Sequence, residues 1–296
     1  MQLPRKLRER LLSPDVRRYL DWCGAIVGFL AIIFVGLRFS NYADAIDLGR
    51  FNSKDWLLLS LGVVLYGASN SLLAIAWRHL LRYFDLHVRI GWAINIYGRS
   101  QLAKYIPGNV FQFAGRQVLA MADGLPGRVL VKTIALELAL LCLGGVIFGI
   151  LAIPLLIHGF PISLTCGLFG LALILVWACL KIRFGTEFMK AWVCIMTFLA
   201  LSGIVFYLCI EAVTHQQAIP IYELIAAYII AWLIGLVTPG APAGVGVREV
   251  VLIFLLHASY PESLLIFSVM IGRMVTLLGD VLFYLIANFW SKRKTI

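Results

Sequence analysis

The sequence predicts an all-α integral membrane protein with six spanning helices and two re-entrant Pro-Gly hairpins, arranged as an inverted repeat. Three observations lead there. Six apolar segments are long enough to cross a bilayer, which takes about 20 residues of helix. Two further apolar stretches are interrupted by Pro-Gly and carry charged side chains. Threaded in this order, the basic residues between segments gather on one side of the membrane.

Composition sets the frame. Of 296 residues, 61% are apolar or aromatic and only 14% are charged, against roughly 25% charged in a soluble domain. These figures argue against a water-soluble globule and rule out a disordered chain. The net charge of +10 is scattered between long apolar runs. A nucleic-acid binder would collect it on a polar surface, so no nucleic-acid partner is expected.

Residues 1–19 form a basic segment, with Leu3, Leu7 and Leu11 spaced by four. It reads either as an interfacial helix on the inner surface or as a solvated positive flank that sets topology. The first span, about 20–38, has no signal-peptide layout: its charged lead is long and no small-residue cleavage site follows. It is read as retained. The other spans are about 56–77, 129–156, 162–181, 190–211 and 263–290, and a basic tail occupies 291–296. Residues 20–290 thus make one polytopic membrane domain.

The broken stretches run from Trp92 to about Met121 and from Tyr222 to about His257. Each has two arms of about 12 to 16 residues, and an arm of that length reaches only ~18–24 Å. Proline removes a backbone donor and ends the first arm. Irregular backbone at depth must be buried in protein or line a polar cavity, so two re-entrant hairpins are the simplest reading. With the N-terminus in the cytoplasm, 17 basic residues fall on the cytoplasmic side and 3, Arg38, Arg50 and Lys54, on the other. A single crossing by either hairpin would destroy that asymmetry. Both termini are therefore expected in the cytoplasm.

The hairpins share an organisation. Pro107-Gly108 is followed by Arg116, and Pro239-Gly240 by Arg248, at a constant offset of 132 residues. The same shift lays 56–77 over 190–211 and 129–156 over 263–290. The expected halves are about 20–156 and 162–290, with the second inverted because each half has an odd number of crossings. Broken helices of inverted repeats meeting at the midplane are a transporter design.

Charge within the apolar segments marks the candidate site. Arg99, Lys104, Arg116, Arg248 and Arg273 lie there, with Glu137, Glu249 and Asp280 as candidate partners. A central Arg costs about 2.5–3.5 kcal/mol on insertion scales. Water or an anion must make these cations tolerable, and the planar donor fork of Arg suits phosphate. Asn109, Gln112 and Arg116 follow one helical face, as do Arg273, Thr276 and Asp280. Gly240, Gly244 and Arg248 are spaced by four, so backbone could approach a ligand beside the Arg head, and Gly246 is read with them as part of the hairpin tip. Glu137 is placed to pair with Arg99 or Arg116 and is a possible proton site. Arg273 with Asp280 is read as either an ion pair or part of a pathway, and Lys104 as either a site residue or a snorkelling side chain. Tyr66 and Asn70 are read as either bonding between helices or lining the cavity.

The run Pro239-Gly240-Ala241-Pro242-Ala243-Gly244-Val245-Gly246-Val247-Arg248-Glu249 resembles the signature of the lysylphosphatidylglycerol synthase transmembrane-region family, approximately P-x-P-G-G-x-G-x-R-E. Tyr105-Ile106-Pro107-Gly108 with Arg116 is similar to its other marker. Ala243 stands where that family commonly has glycine. The resemblance implies a flippase-like protein of the bacterial inner membrane, with Arg116, Arg248 and Glu249 carried over onto the motif positions. The soluble aminoacyl-transfer domain is not expected here, so neither is synthesis of lysyl-lipid. The implied substrate is an anionic or polyisoprenyl-phosphate-linked lipid, with glycosyltransferases or lipid-synthesis enzymes as possible partners.

Two other function classes compete with this reading. An integral-membrane enzyme lacks support: there is no DxD, GxSxG or HExxH motif, and Gly244-Val245-Gly246 lacks the third glycine of a dinucleotide site. The six cysteines form no CxxC pair and the five histidines no HxxxH, so neither metal nor cofactor is expected. A non-catalytic membrane partner of a glycosyltransferase or of a surface-polysaccharide or lipid biosynthesis complex is the alternative. It has no need of Arg116 and Arg248 at the midplane.

Overall fold

The computed structural model describes residues 51–105, 111–157, 159–215, 218–238, 244 and 246–291, and these are helices and short connections with no strand among them. In order they are α1 (Ser53–Tyr83), α2 (Ile90–Gln101) with a 3-10 turn (Leu102–Tyr105), α3 (Phe111–Ala122), α4 (Gly127–Gly149) with a 3-10 turn (Ile150–Ala152), α5 (Ile153–Leu156), α6 (Ile162–Thr214), α7 (Ile221–Val237), α8 (Val247–Leu256) and α9 (Glu262–Ser291). The expected span 20–38 and the basic end segments lie outside the described residues.

Among the described residues four helices are long and apolar enough to cross a membrane: Ser53–Tyr83, Gly127–Leu156, Ile162–Thr214 and Glu262–Phe289. Polarity is also distributed as a bilayer requires. Leu57 (68%), Val146 (71%) and Ile182 (81%) face outward, whereas Asn70, Glu137 and Asp280 are fully buried. A water-soluble protein rarely exposes apolar surface on this scale. The chain has the architecture of a multi-pass membrane protein.

Local chemistry fixes the helix ends. Asn52 caps α1: its side-chain oxygen accepts from the Lys54 and Asp55 amides, while Asp55 Oδ2 accepts from the Asn52 amide at 2.9 Å. This reciprocal box satisfies amides that the first turn leaves without partners. Segments 162–181 and 190–211 were expected as two spans joined by a cytoplasmic loop. They are two helical arms within Ile162–Thr214 that meet at a sharp kink at Gly185 (φ 82°, ψ −175°), with no other non-helical residue between them. A left-handed φ suits glycine alone without strain, and residues 181–190 otherwise contain nothing that stops a helix.

The break turns the chain. After it, α6 runs antiparallel to α1: Glu187 meets His79 at 2.7 Å, Phe198 packs on Tyr66, and Glu211 faces Lys54. Before it, Phe169 packs on Phe148 of α4, while Gly144, one turn away on α4, faces Met196 and Leu199 of the later arm. The two arms of α6 therefore lie alongside each other.

Each Pro-Gly stretch is a pair of short packed helices. Trp92 Nε1, at the start of α2, donates to Asp123 Oδ2 just beyond α3 at 2.7 Å, closing the base of the first hairpin. The Ala218 amide donates to the Tyr260 hydroxyl at 3.2 Å and closes the second. The bases sit at opposite ends of α1. Trp92 stacks on Trp77 near the α1 C-terminus, whereas Phe267, two turns from the second base, packs on Phe51 before the α1 N-terminus. From these ends α2 and α7 converge on one level, that of Tyr66 and Phe198, on which Trp232 of α7 also packs. The tip residues Pro107, Gly108, Pro239 and Gly240 lie outside the described residues.

Close helix contact aligns the centre. A methyl group at Gly67 of α1 would lie 2.9 Å from the Gly279 carbonyl oxygen of α9. Backbone thus meets backbone there, as small residues permit between membrane helices. Next to this contact, Asn70 and Asp280 come within hydrogen-bond reach.

Candidate functional site

Asp280 anchors the end of the first hairpin's first arm. It is fully buried on α9. Lys104 Nζ lies 2.6 Å from its Oδ2, the Tyr105 hydroxyl donates to the same oxygen at 2.6 Å, and Asn70 Nδ2 and Gln101 Nε2 each donate to Oδ1 at 3.1 Å. Gln101 also donates to Asn70 Oδ1 at 3.0 Å. A buried carboxylate is tolerable only when paired and fully hydrogen-bonded, and this one is. Lys104 therefore does not snorkel.

Arg273, two turns earlier on α9, anchors the second hairpin. Its Nε donates to Glu249 Oε1 at 2.6 Å, and its Nη2 donates to Glu249 Oε2 at 3.2 Å and to the Gly244 carbonyl at 3.0 Å. The expected alternative of an Arg273–Asp280 pair is corrected here. Seven residues of helix separate the two by ~10.5 Å, so each charge serves a different hairpin. The shared face read from Arg273, Thr276 and Asp280 is real as a stripe, but its ends bind different partners.

Arg116 of α3 is buried at 2% exposure against Glu137 of α4. Its Nη2 lies 2.7 Å from Glu137 Oε2, its Nη1 donates to Oε1 at 3.2 Å, and the Tyr97 hydroxyl donates to Oε1 at 2.8 Å. The rings of Tyr97, Trp77 and Phe113 lie 4.5, 5.0 and 5.7 Å from the guanidinium, at cation–π range. Arg116 is therefore neutralised by a carboxylate and aromatic faces. Both hairpins use the same device: a charge on the second arm pairs with the span that follows. The polarity is swapped, with Arg116 to Glu137 in one and Glu249 to Arg273 in the other.

Arg248 differs. It lies at the start of α8, and its Nε, like that of Arg116, is buried without a hydrogen-bond partner. No carboxylate pairs with it among the described residues, and its neighbour is the Trp232 ring at 5.8 Å. Gly244 (φ 71°) makes room for it: a methyl there would sit 2.8 Å from Gly235 Cα and 3.0 Å from Arg248 Nε. Arg248, Lys104, Gln101, Gln112, Tyr66 and Glu137 line a cavity between the hairpin ends, walled by Trp232, Phe198, Phe113 and Leu236. Its volume of about 40 Å³ holds roughly three waters.

Of the site residues read from sequence, Gln112, Glu137 and Arg248 reach this cavity, while Arg116, Glu249, Arg273 and Asp280 support it. Asn109 lies outside the described residues, and Arg99 in the last turn of α2 does not line the cavity. Gly246 (φ 87°) caps α8. Tyr66 lines the cavity and Asn70 bonds between helices. Sequence reasoning missed Tyr97, Gln101 and the Lys104–Asp280 pair. The signal available for Gln101 was an amide beside charged residues in an apolar run.

No family model matches the chain, and no curated protein matches it. The likeness drawn above stands on its two Pro-Gly-Arg motifs alone.

Proposed function

We propose that this protein passes the phosphate headgroup of an anionic or polyisoprenyl-linked lipid between the leaflets of a bacterial inner membrane, the tails staying in the bilayer. Arg248 carries the reading. A guanidinium in the middle of an apolar bundle costs about 2.5–3.5 kcal/mol on insertion scales. Here it faces a cavity with no carboxylate partner among the described residues, while Lys104, Arg116 and Arg273 each have one. A phosphate oxygen supplies what its donor fork lacks.

Counting α6 as two crossings and adding 20–38 gives six spans, with both termini cytoplasmic. The hairpins then enter from opposite faces and meet near the midplane as the two halves of an inverted repeat, the arrangement in which broken helices form a substrate site. A cavity with room for a few waters corresponds to an occluded state. Opening to either side parts one hairpin from α9, at Lys104–Asp280 or at Glu249–Arg273.

The test is leaflet-resolved lipid transfer in proteoliposomes. Transfer of an anionic phospholipid is expected to fall to background in Arg248→Ala and to be impaired in Arg116→Ala. Unchanged transfer in both, at normal folding, removes the mechanism. No transfer of any lipid, with stimulation of a co-reconstituted glycosyltransferase, would establish the scaffold role instead, and released headgroup would establish an enzyme.

A further inference from the structure

We infer, building on the lipid-anion reading, that the site selects a headgroup with one negative charge, a phosphodiester, over doubly charged phosphates. The argument is the balance of charge around the cavity. The charged side chains that line it are Lys104, Glu137 and Arg248. Lys104 is cancelled by Asp280 at 2.6 Å and Glu137 by Arg116 at 2.7 Å. The nearby Glu249 and Arg273 cancel each other at 2.6 Å. One positive charge is left, on Arg248.

Among the described residues no other charged side chain lines the cavity; Arg99, in the last turn of α2, does not. The tip residues 106–110, 239–243 and 245 contain no ionisable side chain, and 22–37 contains no Asp, Glu, Lys, Arg or His. A bound monoanion brings the site to neutrality. A dianion leaves one uncompensated negative charge in a low-dielectric interior, where Coulomb energy is weakly screened. The cation that would accept it is Lys104, and Lys104 is held by a carboxylate that also takes bonds from Tyr105, Asn70 and Gln101. Asp280 is thus a specificity-determining residue that never touches the ligand: it keeps the second cation out of use.

The experiment measures displacement of a fluorescent phosphatidylglycerol from the purified full chain in phosphatidylcholine nanodiscs. The competitors are short-chain phosphatidylglycerol, phosphatidic acid and water-soluble glycerophosphoglycerol. At pH 9 phosphatidic acid, a smaller headgroup, is doubly charged, since the second ionisation of a phosphate monoester lies near 6. It is expected to compete roughly 60-fold to 300-fold less well than phosphatidylglycerol, the factor set by one uncompensated charge at this depth. At pH 5, where phosphatidic acid carries one charge, the gap is expected to close. Asp280→Asn frees Lys104 and is expected to reverse the preference at pH 9. If that variant does not fold, the two pH arms on the wild-type chain decide alone.

Phosphatidic acid competing as well as phosphatidylglycerol at pH 9, with Arg248→Gln abolishing both, overturns the charge rule and leaves the lipid-anion reading standing. Arg248→Gln binding both lipids like wild type overturns the lipid-anion reading itself. Glycerophosphoglycerol competing as strongly as the lipid supports one-charge selectivity and shows that the diester is read free of its tails.

Discussion

Lys104 and Asp280, 176 positions apart in the chain, meet at 2.6 Å in the middle of the bundle, and that contact ties the first hairpin to the last helix. Removing one partner of a buried pair strands the other's charge. Lys104→Met and Asp280→Asn are each expected to cost about 3–5 kcal/mol. Double replacement by Met and Asn should cost well below the sum. Thermal unfolding of the four proteins in detergent closes the cycle; additive losses would show that the two side chains do not interact.

Arg116 and Glu137 give a second cycle with a different balance. Arg116 is packed among three rings and Glu137 also accepts from Tyr97. Tyr97→Phe removes one hydrogen bond to a charged acceptor, worth about 1.5–3 kcal/mol, and keeps the ring against the guanidinium. Glu137→Gln is expected to destabilise more than Tyr97→Phe, because it leaves a buried cation unpaired. Melting temperatures in one detergent rank the two, and the reverse order would contradict the pairing.

The Glu249–Arg273 pair predicts rescue by exchange. Glu249→Arg or Arg273→Glu alone places like charges within reach of each other, while the double exchange restores a neutral pair 24 positions apart. Folded yield is expected to collapse in each single variant and to recover in part in the double one. Full recovery is not expected, since Gly244 O also accepts from Arg273 Nη2.

Glycine substitutions separate packing from composition. Gly67→Ala drives a methyl to 2.9 Å from the Gly279 carbonyl oxygen, and overpacking of this kind costs typically about 1–3 kcal/mol. Gly91→Ala meets nothing within 4 Å and is expected to be neutral or slightly stabilising. Equal melting temperatures for the two variants would contradict the close helix crossing.

Topology is open to chemical labelling in a cysteine-free background. Lys54→Cys, at a position whose lysine side chain is 69% exposed, is expected to react with a membrane-impermeant maleimide from outside intact cells. Arg128→Cys is expected to react only after permeabilisation. Labelling of both from outside would refute the charge-based orientation.

The local features were legible in the sequence because their causes are local. Apolar length marks the helices that begin at Ser53, Gly127, Ile162 and Glu262, and Pro-Gly marks the breaks. The charges at Arg116, Arg248 and Asp280 stood out because an apolar run makes them costly. Partner choice was not legible. Asp280 had Arg273 nearby on its own helix, yet the side chain that reaches it comes from the far end of the chain, and only the packing of α1, α2 and α9 decides that. The two arms of α6 were legible as separate apolar segments, but the sharpness of the turn was not: a charged decapeptide around one glycine reads as a loop, although every residue but Gly185 keeps helical geometry.

The crossing of Gly67 on Gly279 has a mechanical consequence. Where backbone touches backbone, no flexible side chain lies between the helices to absorb sliding. Relative motion of α1 and α9 is restricted to rocking about that point, like a lever on its fulcrum. Asp280, the next residue along, sits almost on the pivot and barely moves, while displacement grows with distance toward either end of the helix.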